Sequence, residues 1–288
     1  MQRGVSSYMF VGQRLTHDLL ADIERARIPL VEIFCVRTHF DYRDPEAVRG
    51  LGSWFAGHSL KLHALHAPMS RDMAPGRESG TPMSISDLER LRRLDAVDEI
   101  KRALDVAESV PFRYLVQHIS SGREGDGGPD PRRTEALFSS LEHLCVFAKQ
   151  RGVAIALENT PGGMATPAYL RHFVQQTRLT DLRLCFDIGH AHMEDGVVSG
   201  LETMRDLVVT AHIHDNRGDR DEHLLPFEGT IDWPAAMKSL AGVPDSAGLP
   251  LILELKDTAF ADRSSPAHML EHAAAVLESL EKVPIAGA

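Results

Sequence analysis

The sequence predicts an α/β fold, a (β/α)8 TIM barrel forming a single domain over residues 1–288. Three observations carry that expectation. Apolar, strand-like runs alternate with amphipathic helical stretches along the whole chain, which demands a parallel sheet, and eight such repeats favour closure into a barrel. The length suits one barrel of this kind, which commonly takes about 250 residues. Six of the runs, among them VAIALENT, LRLCFDIGHAH and VVTAHIHDN, lead into a histidine or carboxylate and then a loop, as buried parallel strands do when they deliver functional groups to their C-terminal ends. A doubly wound open sheet is the alternative. It is weakened because SSYMFVGQ, and not a GxGxxG turn, follows the first strand.

The elements follow in order. A strand at 4–10 precedes the amphipathic stretch 15–27, where Thr16 or Asp18 offers a cap. A second at 30–35 leads to a helix over 45–57, with Asp44 set before Pro45, a residue tolerated in the first helical turn. The third strand, 60–66, is followed by a Gly-, Pro- and Ser-rich insertion at about 69–86 and a helical stretch over 84–109 that Ser86 would cap. The fourth, 114–118, precedes a second insertion at about 120–131 and a helix over 132–152. Strands at 153–158, 182–187, 208–214 and 251–254 complete the set, with helix starts marked by Thr166 before Pro167, by Asp232, and by Ser265 before Pro266 in a last stretch over 265–282. Both insertions fall on the ligand-bearing face, where they are expected to cover a site. Trp54, with Leu51 and Phe55, is expected to pack a helix, and Trp233 to anchor the helix after the seventh strand.

Composition narrows the partners. A net charge of −10 argues against a broad nucleic-acid surface. Three cysteines, Cys35, Cys145 and Cys185, each lie in an apolar run and are expected to be small buried hydrophobes, with no disulfide framework. The N-terminal stretch has no sustained apolar region and no segment approaches a membrane span, so the expected location is cytoplasmic, without a membrane partner.

The strand-end residues carry the chemistry. Glu158, Asp187, His212 and Glu254 come from the fifth to eighth strands, so closure would bring them around one point; three oxygen ligands and one imidazole suit a divalent ion, Mn²⁺, Mg²⁺, Co²⁺ or Zn²⁺. Such a centre polarises a carbonyl beside a hydroxyl, and Glu158 and Glu254 could act as the acid/base pair for proton transfer at carbon. His66, His118, His190, Asp221 and His223 lie beside them and could hold further metal or grip substrate hydroxyls. His214, two residues after His212, points to the same face by strand alternation, and Arg217 could orient a hydroxyl or an anionic group. Arg37, Arg217 and Arg220 are interleaved with Asp41, Asp219 and Asp221, which fits a small polar ligand better than a duplex.

LENT (157–160), FDIGHAH (186–192), HIHDN (212–216), DEHLLPFEGTIDW (221–233) and ILELK (252–256) resemble the xylose-isomerase-like TIM barrel superfamily, in particular its sugar phosphate isomerase/epimerase and endonuclease IV branches. The epimerase resemblance implies one divalent ion, Mn²⁺ foremost, on Glu158, Asp187, His212 and Glu254, with substrate at His190. The implied activity is isomerisation or epimerisation of a ketose or keto-sugar derivative through an enediolate. The endonuclease IV resemblance implies three zinc ions: His66, His118 and Glu158 for one; Glu158, Asp187, His212 and Glu254 for another; His190, Asp221 and His223 for the third. Cleavage of DNA at abasic sites would follow. HLLPFEGTIDW is closer to the epimerase-type HLxPGxGxIDW, with Phe227 where that pattern has glycine. A metal-dependent lyase or dehydratase of an oxidised sugar is a further alternative. The expected partner is a sugar, with a homo-oligomer left open.

Overall fold

Runs of apolar and β-branched residues, buried on both faces, form the eight strands that the alternation predicts: β1 (Gln2–Ser6), β2 (Leu30–Phe34), β3 (Lys61–His66), β4 (Tyr114–Gln117), β5 (Ala154–Glu158), β6 (Arg183–Asp187), β7 (Val208–Ile213) and β8 (Pro250–Leu253). The computed structural model describes residues 1–71, 81–119, 129–260 and 265–284. All eight strands pair in parallel, and β1 meets β8 to close the barrel. The predicted (β/α)8 barrel is what the chain forms. Of the two insertions expected to cover the site, residues 72–80 and 120–128 lie outside the described residues.

Helices ring the barrel, and their starts follow the sequence. Pro45, Pro131, Pro167 and Pro266 open α2 (Pro45–Ala56), α4 (Pro131–Lys149), α5 (Pro167–Thr177) and α9 (Pro266–Glu281), capped by Asp44, Asp130, Thr166 and Ser265. Thr16 caps α1 (His17–Arg25) and Asp232 caps α8 (Trp233–Ala241), each such cap contributing about 1 kcal/mol. α3 (Arg90–Leu104) corrects one expectation: Ser86 does not cap it. The hydroxyls of Ser84 and Ser86 instead donate to Ile119 O, at 3.3 and 3.2 Å, and so tie the segment to the loop after β4 before the helix can begin. The first strand likewise ends at Ser6, because residues Ser7–Phe10 turn into a 3₁₀ helix. α6 (Ile188–His192) and α7 (Val197–Met204) follow β6.

The main core lies between helices and barrel, and Trp54 and Trp233 both belong to it. Inside the barrel sits a separate cluster of small side chains, Ala64, Val116, Ala156 and Cys185. Two irregularities in strand pairing, at His63 of β3 and Val209 of β7, add one residue each and re-aim their neighbours. His63, which alternation puts on the other side of the strand from His66, consequently turns inward and places Nε2 3.3 Å from Thr210 Oγ1 across the barrel.

The loop after β7 hangs on Asp215. This fully buried carboxylate accepts from Phe227 N (3.0 Å), Ile231 N (3.2 Å) and Trp233 Nε1 (2.9 Å). Phe227 stands at φ +77°, a left-handed conformation that costs a bulky residue and suits glycine. Its ring is half exposed and leans on Trp233. Asp215→Ala would leave the Ile231 and Trp233 donors buried without an acceptor, at about 1–3 kcal/mol each. We expect urea denaturation to show a loss of about 3 kcal/mol or more, against about 1 kcal/mol for removing an ordinary cap.

Candidate metal centre

Barrel geometry delivers the strand-end residues to one pocket. Glu158 and Asp187 close β5 and β6, His66 closes β3, His212 is the penultimate residue of β7, and His118 and Glu254 stand one residue beyond β4 and β8. His190 arrives on α6, whose first turn is capped by Asp187: Oδ1 accepts from His190 N at 2.6 Å. Asp221 and His223 come from the loop after β7, where His223 takes a left-handed backbone (φ +51°). Gly189 lets the cluster close, since a Cβ there would lie 2.0 Å from Cε1 of the His214 ring.

Glu158 is the hub. Its Oε2 lies 3.0 Å from His118 Nε2 and 3.4 Å from His66 Nε2, and its Oε1 lies 3.3 Å from His190 Nδ1 and 3.4 Å from His212 Nδ1. His212 Nδ1 is also 3.4 Å from Glu254 Oε2 and 3.8 Å from Asp187 Oδ2. On the far side, Asp221 faces His223 Nε2 at 3.0 Å and His190 Nε2 at 3.7 Å, and the His214 and His223 rings stack at 4.0 Å. Among the described residues, three groups of oxygen and imidazole donors have members that all lie within 4.8 Å of one another, namely Glu158, Asp187, His212 and Glu254; His66, His118 and Glu158; and His190, His214, Asp221 and His223, while Cys185 lies equally close to Glu158 and His212. His214, which strand alternation predicts to reach the pocket, joins the third group.

Three histidines have their tautomers set by backbone. His66, His190 and His223 each present Nδ1 to a carbonyl, of Ala67 (3.0 Å), Asn159 (2.9 Å) and Glu254 (2.8 Å). A carbonyl only accepts, so Nδ1 carries the hydrogen and, in the neutral ring, Nε2 points its lone pair into the pocket. Among the described residues, the pocket leaves buried atoms without a hydrogen bond, namely Glu32 Oε1, Glu158 Oε1, Glu254 Oε1, His212 Nδ1, His214 Nδ1 and Asp221 Oδ1. Orphans of this kind are costly. Carboxylate and imidazole orphans converging on one volume are a donor set that fits a divalent cation.

Electrostatics agree with that fit. Burial alone would raise the Glu158 and Glu254 carboxyls and lower the imidazoles. His118 and His212 override burial at Glu158 and hold it well below the ordinary carboxylate range, and His212 holds Glu254 at about 2. Reciprocally, burial at His190 is outweighed by Asp187 and Asp221, and at His212 chiefly by Cys185 and Glu254, so both are raised well above the ordinary histidine value. The pocket demands positive charge. Protons on the rings or a bound cation can supply it.

The family model described as xylose isomerase-like TIM barrel matches residues 20–280. The chain belongs to this family. An uncharacterised protein of Methanocaldococcus jannaschii, MJ1311, is 28% identical to it over 247 residues, 83% of this chain and 79% of its own length. A solved structure described as a D-tagatose 3-epimerase-like protein shares 24% identity and a TM-score of 0.74, covering 98% of this chain and 99% of its own. The IolI protein with a bound zinc atom shares 16% identity and a TM-score of 0.80 over 99% of both chains. These similarities establish the xylose isomerase-like barrel as the fold.

Two groups at the pocket of this xylose isomerase-like barrel escaped the sequence reading. Glu32, fully buried, contacts His212 Nε2 at 3.1 Å; its signal was a carboxylate in the middle of the apolar strand LVEIF. Asn159 accepts from Asp187 N (2.8 Å) and donates to Asp187 O (2.9 Å), bracing β5 against β6. Arg217, by contrast, lies on the exposed rim with its guanidinium 2.6 Å from Glu222, outside the ligand groups.

A bound cation must displace ring protons. Because the His190 and His212 values are raised above 6.5, their protons stabilise the metal-free fold below that pH, and the contribution is lost as pH climbs through the raised values. Divalent-metal binding near pH 7 should therefore release at least one proton per chain and tighten as pH rises. Calorimetry in buffers of different ionisation heat checks this, and zero net release would contradict the charge assignment.

Proposed function

We propose that the chain is a divalent-metal-dependent sugar isomerase or epimerase acting on a ketose or keto-sugar derivative, with Glu158 and Glu254 as the acid/base pair. One observation carries the reading: the two buried glutamates flank His212 Nδ1 at 3.4 Å each, and each keeps an oxygen that makes no hydrogen bond among the described residues. The D-tagatose 3-epimerase-like name of a structure sharing the fold points the same way.

Glu158, Asp187, His212 and Glu254 would hold the ion, which when bound supplies Lewis-acid polarisation of neighbouring carbonyl and hydroxyl oxygens. The protein's own groups do the rest. One glutamate, held ionised by its histidine neighbours, removes the proton from the carbon beside the carbonyl. The C–H pair becomes the carbon–carbon double bond of an enediolate, and the carbonyl pair moves to oxygen. The other glutamate, having taken a proton from solvent or the neighbouring hydroxyl, returns it to carbon, on the opposite face for epimerisation or at the adjacent carbon for isomerisation. His66, His118, His190, His214, Asp221 and His223 would grip sugar hydroxyls, while Arg217 serves the rim. Mn²⁺ suits the oxygen-rich set, with Mg²⁺, Co²⁺ or Zn²⁺ as alternatives.

A second reading, a trinuclear zinc phosphodiesterase on abasic DNA, is favoured by the three neighbouring donor groups, two of which share Glu158. The surroundings favour the sugar. His39, Phe40 and Tyr42, which could have met a duplex after β2, are buried. Arg37, Arg217 and Arg220 face Asp41, Glu222 and Asp219, so phosphate contacts there compete with carboxylates. A lyase or dehydratase of an oxidised sugar would share the proton-abstraction step.

Two measurements test the assignment. Elemental analysis of purified protein is expected to find one ion per chain; three zinc ions would favour the phosphodiesterase. Glu158→Gln and Glu254→Gln should each reduce deuterium exchange from solvent into a bound ketose by about 10²-fold or more, the usual scale of a general base. Exchange at wild-type rate in both would reject the two-carboxylate scheme.

A further inference from the structure

Glu32 is the pocket's outlier. Every residue of LVEIF is buried, so its central carboxylate lies wholly inside the barrel, where an ionised group is costly unless paired. Among the described residues its hydrogen-bonding partner is His212, and no Lys or Arg ion pair reaches it. β2 and β7 are not neighbours in the sheet, so the contact crosses the barrel interior and cannot be a by-product of strand pairing.

The contact has a direction. His212 Nε2 lies 3.1 and 3.3 Å from the two Glu32 oxygens, while Nδ1 faces Glu158 and Glu254 at 3.4 Å. The ring is thus strung between an outer acceptor and the pocket. His66, His190 and His223 solve the same problem with backbone carbonyls on Nδ1 and leave Nε2 facing inward. His212 is reversed. It sits within the sheet, paired with Asp187 of β6 and Ile252 of β8, where backbone carbonyls are engaged in the ladder. A side chain must supply the acceptor, and Glu32 reaches across to do so.

We propose that Glu32 is a positioning residue for the metal centre: it accepts a hydrogen bond from His212 Nε2–H, fixes the ring with Nδ1 toward Glu158 and Glu254, and by its charge makes Nδ1 a stronger donor to a divalent ion. A carboxylate behind a ligating imidazole fixes its tautomer and raises its basicity, and its loss typically costs 10–100-fold in metal affinity. The proposal rests on the metal-centre reading above.

Full-length protein stripped of metal is titrated with Co²⁺ against a competing chelator, as wild type, Glu32→Gln and Glu32→Leu. The expected losses of affinity are about tenfold for the neutral acceptor and about 100-fold for the apolar side chain. A purely structural Glu32 would lower the stability of the metal-free fold and leave Co²⁺ affinity within about twofold of wild type, which would overturn the proposal. A second readout needs no variant. In ¹⁵N-histidine-labelled wild type loaded with Zn²⁺, the His212 hydrogen should reside on Nε2; a hydrogen on Nδ1, or an Nε2 bound to the ion, would also overturn it. Wild type that binds no Co²⁺ rejects the metal centre itself, whereas wild type that binds with both variants unchanged rejects only the role of Glu32.

Discussion

Negative charge concentrated in a buried pocket governs this molecule. Glu32, Glu158, Asp187, Asp221 and Glu254 converge at one end of the barrel, and four of the five are fully or almost fully shielded from solvent. A carboxylate removed from water without a partner is among the costliest groups a protein can hold. Here each meets an imidazole: Glu158 faces His66 and His118, Asp187 faces His214, Asp221 faces His223, and Glu32 and Glu254 face the two nitrogens of His212. The histidines and carboxylates form one network, tuned by mutual attraction against burial.

Much of the surrounding architecture serves to hold that network still. Asp187 caps the short α6, so the residue that faces His212 also starts the turn carrying His190. Asn159 ties β5 to β6 one residue beyond Glu158. Asp215 gathers four donors, from Asn216, Phe227, Ile231 and Trp233, and so frames the segment that presents Asp221 and His223. Small side chains beneath, Ala64, Val116, Ala156 and Cys185, leave the interior volume to rings and carboxylates that larger residues would exclude. A pocket preorganised in this way could take up a cation without first rearranging.

The limits of sequence reading show at particular residues. Proline and its capping neighbour at Asp44–Pro45, Thr166–Pro167 and Ser265–Pro266 are local signals, and the helices start there. Ser86 looked like the same signal, yet its hydroxyl goes to Ile119 O, an acceptor 33 residues away that no local pattern reveals. Alternation puts His63 on the face opposite His66, but that rule holds only while the pairing is regular; an extra residue in β3 turns it inward. Glu32 was overlooked because its partner lies across the barrel on a strand that does not touch its own.

Periodicity, caps and strand-end residue types were enough to determine the closed eight-stranded barrel and the convergence of nine histidines and carboxylates, because parallel strands in a barrel share one C-terminal face. Which atoms meet was decided only by the tertiary structure. The hub at Glu158, the entry of His214 into the group with Asp221, the removal of Arg217 to the rim and the reach of Glu32 to His212 all depend on distances between elements far apart in the chain. Side-chain orientation at such points is fixed by the available hydrogen-bond acceptors and by the charge that each buried group must find, quantities that exist only once the barrel has closed.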